Sequence, residues 1–195
     1  ISGDTFSVFY DGTGTGYIVI SDGMGSGKSA AVDSHMVIGM FRRLICGGME
    51  CESAVRLINS VMVTKSREES FATLDAIKIN LDNCCMTSIK SGAAATIIKK
   101  GDEIIKISSP TFPIGITKQA EISVSEYELD EGDIIIMFSD GISENEYLFA
   151  KECILQMDSV NEIVREIASK ADSFNPTLHS DDITVIGIKI NPSEK

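Results

Sequence analysis

Asp22-Gly23-Met24-Gly25-Ser26-Gly27-Lys28-Ser29 is the stretch on which the fold of this chain turns. It follows an apolar run, Tyr17-Ile18-Val19-Ile20, that has the composition of a buried strand, and it leads into Ser29-Ala30-Ala31-Val32, the start of a helical pattern. A glycine-rich turn between strand and helix aims backbone N–H groups at the helix N-terminus, a natural place for an anion. This turn, however, opens on a carboxylate. Asp22 would repel a phosphate unless a cation stood between them, so the stretch separates a nucleotide loop from a metal site.

Upstream, Thr5–Tyr10 and Tyr17–Asp22 read as strands joined by the turn Asp11-Gly12-Thr13-Gly14-Thr15-Gly16. Closing that hairpin brings Asp4 and Asp22 to the same end. Downstream, Lys28 to Cys46 keeps helical apolar spacing until Gly47-Gly48 stops it, and Glu50 to about Lys65 repeats the pattern. The period then changes. Ile77, Ile79 and Leu81 alternate with Lys78, Asn80 and Asp82, and short strands follow at Met86–Lys90, Ala94–Lys99, Glu103–Ser108 and Glu121–Leu129. Ile134–Phe138 is a continuous apolar run, as in a strand buried on both faces. Ser159-Val160-Asn161-Glu162 has the form of a capping box opening one late helix to about Ala171, and a strand inside Ser180–Ile190 closes the chain. Consecutive hairpin strands predict antiparallel pairing rather than βαβ units. The expected class is α+β: two packed antiparallel β-sheets, a β-sandwich, flanked by helices, in a single domain over residues 1–195.

A chain of 195 residues with 43% hydrophobic residues can bury a substantial core. Its 29 acidic against 17 basic residues, a net charge of −12, argue against a nucleic-acid partner, which needs a basic face. Most of this excess reads as a solvated acidic surface. No apolar run approaches the roughly 20 residues of a membrane span. The five cysteines, Cys46, Cys51, Cys84, Cys85 and Cys153, contain no C-x-x-C pair and read as reduced, small apolar residues of a cytoplasmic domain. The start Ile1-Ser2-Gly3-Asp4 has the look of a C-terminal piece of a longer protein, whose upstream part could carry a membrane anchor.

Four acidic sites share one context, beside a glycine or a second acid at the end of an apolar strand: Gly3-Asp4, Asp22-Gly23, Asp140-Gly141 and Asp181-Asp182. Hard divalent cations take oxygen ligands, and two neighbouring ions need several carboxylates. Singly, each Asp-Gly is a common turn pair; the joint pattern is much more specific. Ser2-Gly3-Asp4, Ile20-Ser21-Asp22-Gly23-Met24-Gly25, Gly132-Asp133 through Ser139-Asp140-Gly141-Ile142, and Asp181-Asp182-Ile183-Thr184-Val185 resemble, in order, the metal-dependent type 2C protein phosphatases, and within them the bacterial branch that regulates sigma factors. Phe71-Ala72-Thr73-Leu74, Pro113-Ile114-Gly115-Ile116 and Glu144 add to the likeness.

The resemblance implies two manganese or magnesium ions. Asp22 would bridge them, the Gly23 carbonyl would bind one, Asp140 and Asp181 would hold the other, and Asp4 would bind directly or through water. Asp182 would stand behind the ligands. The implied reaction is hydrolysis of a phosphoserine or phosphothreonine protein, a phosphorylated anti-anti-sigma factor, by in-line attack of water shared by the ions. Many members of the wider family carry histidine after the Asp-Gly; Met24 stands there and cannot donate a proton. His179 is the nearest substitute in sequence, while His35 falls inside a helix and reads as packing or exposed. The same resemblance implies a strand upstream of Gly3. Whether the domain forms a homodimer stays open.

Two alternatives remain. A P-loop nucleotidase would use Gly27-Lys28-Ser29, but aspartate replaces its first glycine at position 22 and the antiparallel strand block does not suit that fold. A catalytically inactive relative acting as a binding module would keep the acids and show no manganese-dependent hydrolysis.

Overall fold

The computed structural model describes residues 2–25, 27–65, 70–139, 144–174 and 183–191. The chain forms two compact units, one of residues 1–93 and 109–128, the other of 94–108 and 129–195.

The first unit holds a five-stranded sheet in the order β1-β2-β3-β4-β7. Its strands are β1 (Asp4–Tyr10), β2 (Thr15–Asp22), β3 (Leu74–Asn80), β4 (Cys85–Ser91) and β7 (Ser123–Glu128), each antiparallel to its neighbour. Between β2 and β3 the chain forms α1 (Lys28–Cys46) and α2 (Cys51–Lys65). α1 buries Ala30, Ala31, Ser34, Val37, Ile38, Phe41 and Ile45, the spacing of one helical face. α2 contributes Ala54, Val55, Ile58 and Met62 to the same core. The sheet answers with Phe9, Tyr17, Val19, Leu74, Ala76 and Ile89. Phe9 and Tyr17 are register partners across β1 and β2, and their rings stack 5.0 Å apart. Asp33 on α1 and Lys65 at the end of α2 meet at 2.8 Å and tie the helices together.

The second unit has a four-stranded antiparallel sheet in the order β6-β5-β8-β9, from β5 (Thr96–Lys100), β6 (Glu103–Ile107), β8 (Ile134–Phe138) and β9 (Val185–Lys189). All five residues of β8 are buried, as its unbroken apolar run predicts. Helices α3 (Glu144–Gln156) and α4 (Val160–Phe174) pack with this sheet through Ala150, Cys153, Ile154, Ile163 and Ile167.

The expected α+β class with two antiparallel sheets is present, with four helices among the described residues. α1 has the predicted bounds. α3 is an addition to the single late helix expected. Its apolar residues wrap the cylinder: Ala150, Cys153 and Ile154 are buried while Leu148 and Leu155 are about half exposed, so no clean stripe signals a helix. No described helix is long and apolar enough to cross a membrane.

Candidate metal centre

The first hairpin closes in the register that sets Asp4 directly opposite Asp22. Directly opposed residues on an antiparallel pair share a face with Cβ atoms about 4.5–5.5 Å apart, and like charges so placed destabilise the pair. A cation between the two carboxylates removes that penalty. Beyond this rung the backbone continues with Gly23 N–H donating to Gly3 O at 3.2 Å.

Asp22 is nearly buried, 9% exposed, and its main chain is fully engaged. Its N–H donates to Thr73 Oγ1 at 2.9 Å and its carbonyl accepts from Thr73 N–H at 2.8 Å. Ser21 Oγ donates to Thr73 O at 2.6 Å. Thr73, just before β3, therefore fixes the backbone from which the Asp22 carboxylate projects. Met24 N–H donates to Phe71 O at 2.9 Å, and isolated bridges run Gly23 to Ala72 and Ala72 to Ile114.

Two glycines shape the space beside this carboxylate. A Cβ on Gly3 would stand 3.1 Å from Asp22 Oδ1 and 3.2 Å from Gly23 O, so both oxygens converge on the space that Gly3 leaves open. A carboxylate and a carbonyl oxygen aimed at one point are the donor set of a hard divalent cation, and these residues fit such an ion. At Gly23 a Cβ would lie 1.9 Å from Ala30 O, so only glycine lets the turn lie against the first turn of α1. Lys28 opens α1 and is exposed.

Of the other predicted residues, Asp140, Asp181, Asp182 and His179 lie outside the described residues. Their flanks are described. Ser139 N–H donates to Thr184 O at 3.0 Å and Thr184 N–H donates to Ser139 Oγ at 3.1 Å, so the chain leading to Asp140 and the chain leaving Asp182 are joined at the ends of β8 and β9. Among the described residues no group of three or more His, Cys, Asp or Glu side chains stands together as a metal cluster.

Sequence reasoning missed the supports around this centre. His35 is exposed on α1, with Nδ1 2.8 Å from both Thr5 Oγ1 and Ala31 O; Ser34 Oγ is also 2.8 Å from Thr5 Oγ1. This cluster anchors β1 to α1 at the residue after Asp4. On β3 and β4, Asp75 and Lys90 form an ion pair at 2.5 Å with both side chains 1% exposed. Burial pushes the Lys90 ammonium below its ordinary range, and Asp75 offsets this in part. Burial raises the thiols of Cys51 and Cys153, consistent with inert, reduced packing residues.

A family model described as stage II sporulation protein E (SpoIIE) matches residues 12–191. Stage II sporulation protein E of Priestia megaterium is 31% identical over 97% of this chain, and the chain spans about a third of that relative, 34%. The solved phosphatase domain of the cell fate determinant SpoIIE from Bacillus subtilis, with a fragment of its regulatory domain, is 29% identical. It superposes with a TM-score of 0.85 over 97% of this chain and 59% of that one. RsbX, solved in complex with magnesium, shares the fold at 21% identity, with a TM-score of 0.77 over 96% of this chain and 86% of that one.

The architecture and this likeness define a phosphatase domain of the type 2C class. The four-stranded sheet falls wholly inside the matched span. The chain belongs to the stage II sporulation protein E family.

Proposed function

We propose that this domain hydrolyses phosphoserine or phosphothreonine in a protein substrate with the help of two manganese or magnesium ions. The observation that carries the reading is the Asp4–Asp22 rung with the Gly23 carbonyl turned to the same space. Asp4, Asp22 and the Gly23 carbonyl would hold metal on one side, with Asp140 and Asp181 completing the set and Asp182 behind them. Bound there, such ions make a coordinated water more acidic and neutralise charge on the phosphoryl oxygens. The chain's own part is positioning. Thr73 and Ser21 fix the backbone of Asp22, and the contact of Gly23 with Ala30 sets the carbonyl direction. Met24 supplies no proton, so leaving-group protonation falls to a group other than residue 24. RsbX, a protein of the same fold, holds magnesium in its solved form, which supports a divalent ion here. The physiological substrate we infer is a phosphorylated anti-anti-sigma factor, the partner class implied by the family.

Asp22→Asn tests the reading. It keeps the size of the side chain and the backbone bonds to Thr73 while removing the charge. Manganese-dependent hydrolysis of p-nitrophenyl phosphate should fall by at least about 100-fold, since metal-held charge stabilisation is worth several kcal/mol. Wild-type turnover by a folded Asp22→Asn protein at saturating manganese would overturn the assignment.

A further inference from the structure

We propose that the buried Asp75–Lys90 ion pair sets the affinity of the Asp4–Asp22 centre for a divalent ion, with the Lys90 ammonium as a built-in counter-charge to the gathered carboxylates. This deepens the metal reading above and rests on it. The place of the pair follows from the register. Asp75 on β3 stands directly opposite Ile20 on β2 and Lys90 on β4. Ile20 is two residues before Asp22, and side chains two apart on a strand share a face. The other face of these strands gives Phe9, Val19, Leu74, Ala76 and Ile89 to the core shared with α1 and α2. Asp4, Asp22, Asp75 and Lys90 therefore lie together on the face turned away from those helices. The ion pair occupies the next same-face rung behind the Asp4–Asp22 rung.

Stability alone is a weak reason for such a pair. Its neighbours on that face, Ile18, Ile20, Ile77, Ile79 and Met86, are buried and apolar, and an apolar pair in the same place would avoid desolvating two charges. Among the described residues Lys90 is the one buried lysine or arginine, and it stands in the rung nearest the acids rather than farther along the apolar face.

Asp75 is the diagonal neighbour of Asp22 across β2 and β3. Diagonal neighbours stand about 7–8 Å apart. Asp22 is 9% exposed and both members of the pair 1%, so unit charges at that separation interact by more than the thermal energy and salt screens them poorly. Asp75 adds a third negative charge beside the centre, and Lys90 offsets it. The consequence is a pair of opposite signs. Without the ammonium, the Asp75 charge is uncompensated and draws a cation in more tightly. Without the Asp75 carboxylate, the ammonium opposes the cation. A pair that only braced the strands would weaken metal binding whichever member were changed.

Calorimetric titration of the metal-free protein with manganese chloride at neutral pH reads the effect without turnover. Lys90→Gln, which keeps a hydrogen-bond donor for Asp75, should lower the dissociation constant about tenfold, equivalent to about 1.4 kcal/mol. Asp75→Asn, which keeps an acceptor for Lys90, should raise it about tenfold, and Lys90→Arg should stay within about threefold of the wild type. Adding Lys90→Gln to Asp75→Asn should again tighten binding, an independent comparison should Lys90→Gln alone fold poorly. Equal or weaker binding by a folded Lys90→Gln protein, or no tightening when that change is added to Asp75→Asn, would overturn the counter-charge. A wild type that takes up no manganese, or takes it up no better than Asp22→Asn, would instead overturn the metal reading beneath it.

Discussion

Gly23 and the Asp75–Lys90 pair show how single residues carry the fold around the centre. A methyl at Gly23 would meet the Ala30 backbone carbonyl at 1.9 Å, a clash that cannot be relieved without moving the turn or α1. Gly23→Ala should destabilise the protein by about 1–3 kcal/mol in urea unfolding, the range for forced overpacking, and should raise the manganese concentration needed for half-maximal turnover. The buried pair behaves differently. Lys90→Met alone takes the ammonium away from a carboxylate that is 1% exposed and should cost about 3–5 kcal/mol, whereas Lys90→Met with Asp75→Leu should cost less than that single change. The sign of the pH effect follows from the lowered Lys90 value. Between the folded value and the ordinary 10.5, the unfolded chain binds the proton that the folded chain has given up. The contribution of Lys90 to stability therefore rises with pH across that window and is a constant penalty below it. Denaturation of the wild type and the double variant at neutral and alkaline pH should show the wild type gaining relative to the variant; a relative loss would contradict the buried charge.

At the scale of elements, α1 and α2 are joined by an unequal pair. Asp33 is 3% exposed at its side chain and Lys65 39%, so removing the lysine leaves a buried carboxylate while removing the acid leaves a lysine that can reach water. Lys65→Met should therefore cost about 1–3 kcal/mol and Asp33→Asn under about 1 kcal/mol, read from the midpoints of urea curves with unchanged slope. Helix α1 and strand β8 were legible because one carries a single apolar face ended by Gly47-Gly48 and the other an unbroken apolar run. Helix α3 was not, because Leu148 and Leu155 put apolar residues on its outer side. The hairpin pairing of Asp4 with Asp22 could be read from local symmetry alone. The route of β7 back to β4, across the β5–β6 hairpin of the other sheet, could not. Pairings between strands distant in sequence depend on tertiary burial, which alternation does not encode. The Thr73 clamp belongs to the same category, since it joins residues 51 apart in the chain, whereas the space at Gly3 depends on the side-chain volume missing at one residue of the local hairpin.

Over the whole molecule, the proposed function makes this a domain completed by cations, starting from the Asp4–Asp22 rung. A ligand that binds only the folded state stabilises it by mass action, about 2.7 kcal/mol at one hundred times its dissociation constant. Manganese at that level should raise the melting temperature by several degrees, chelator should reverse the gain, and Asp22→Asn should show none of it. The most direct measurement is the anomalous scattering of manganese in crystals of the protein soaked with that ion. The account predicts a peak about 2.0–2.2 Å from a carboxylate oxygen of Asp22 and from the Gly23 carbonyl, with a second peak nearby on Asp140 and Asp181. Manganese bound elsewhere, with nothing at Asp22 in a protein that hydrolyses phosphoserine, would contradict it.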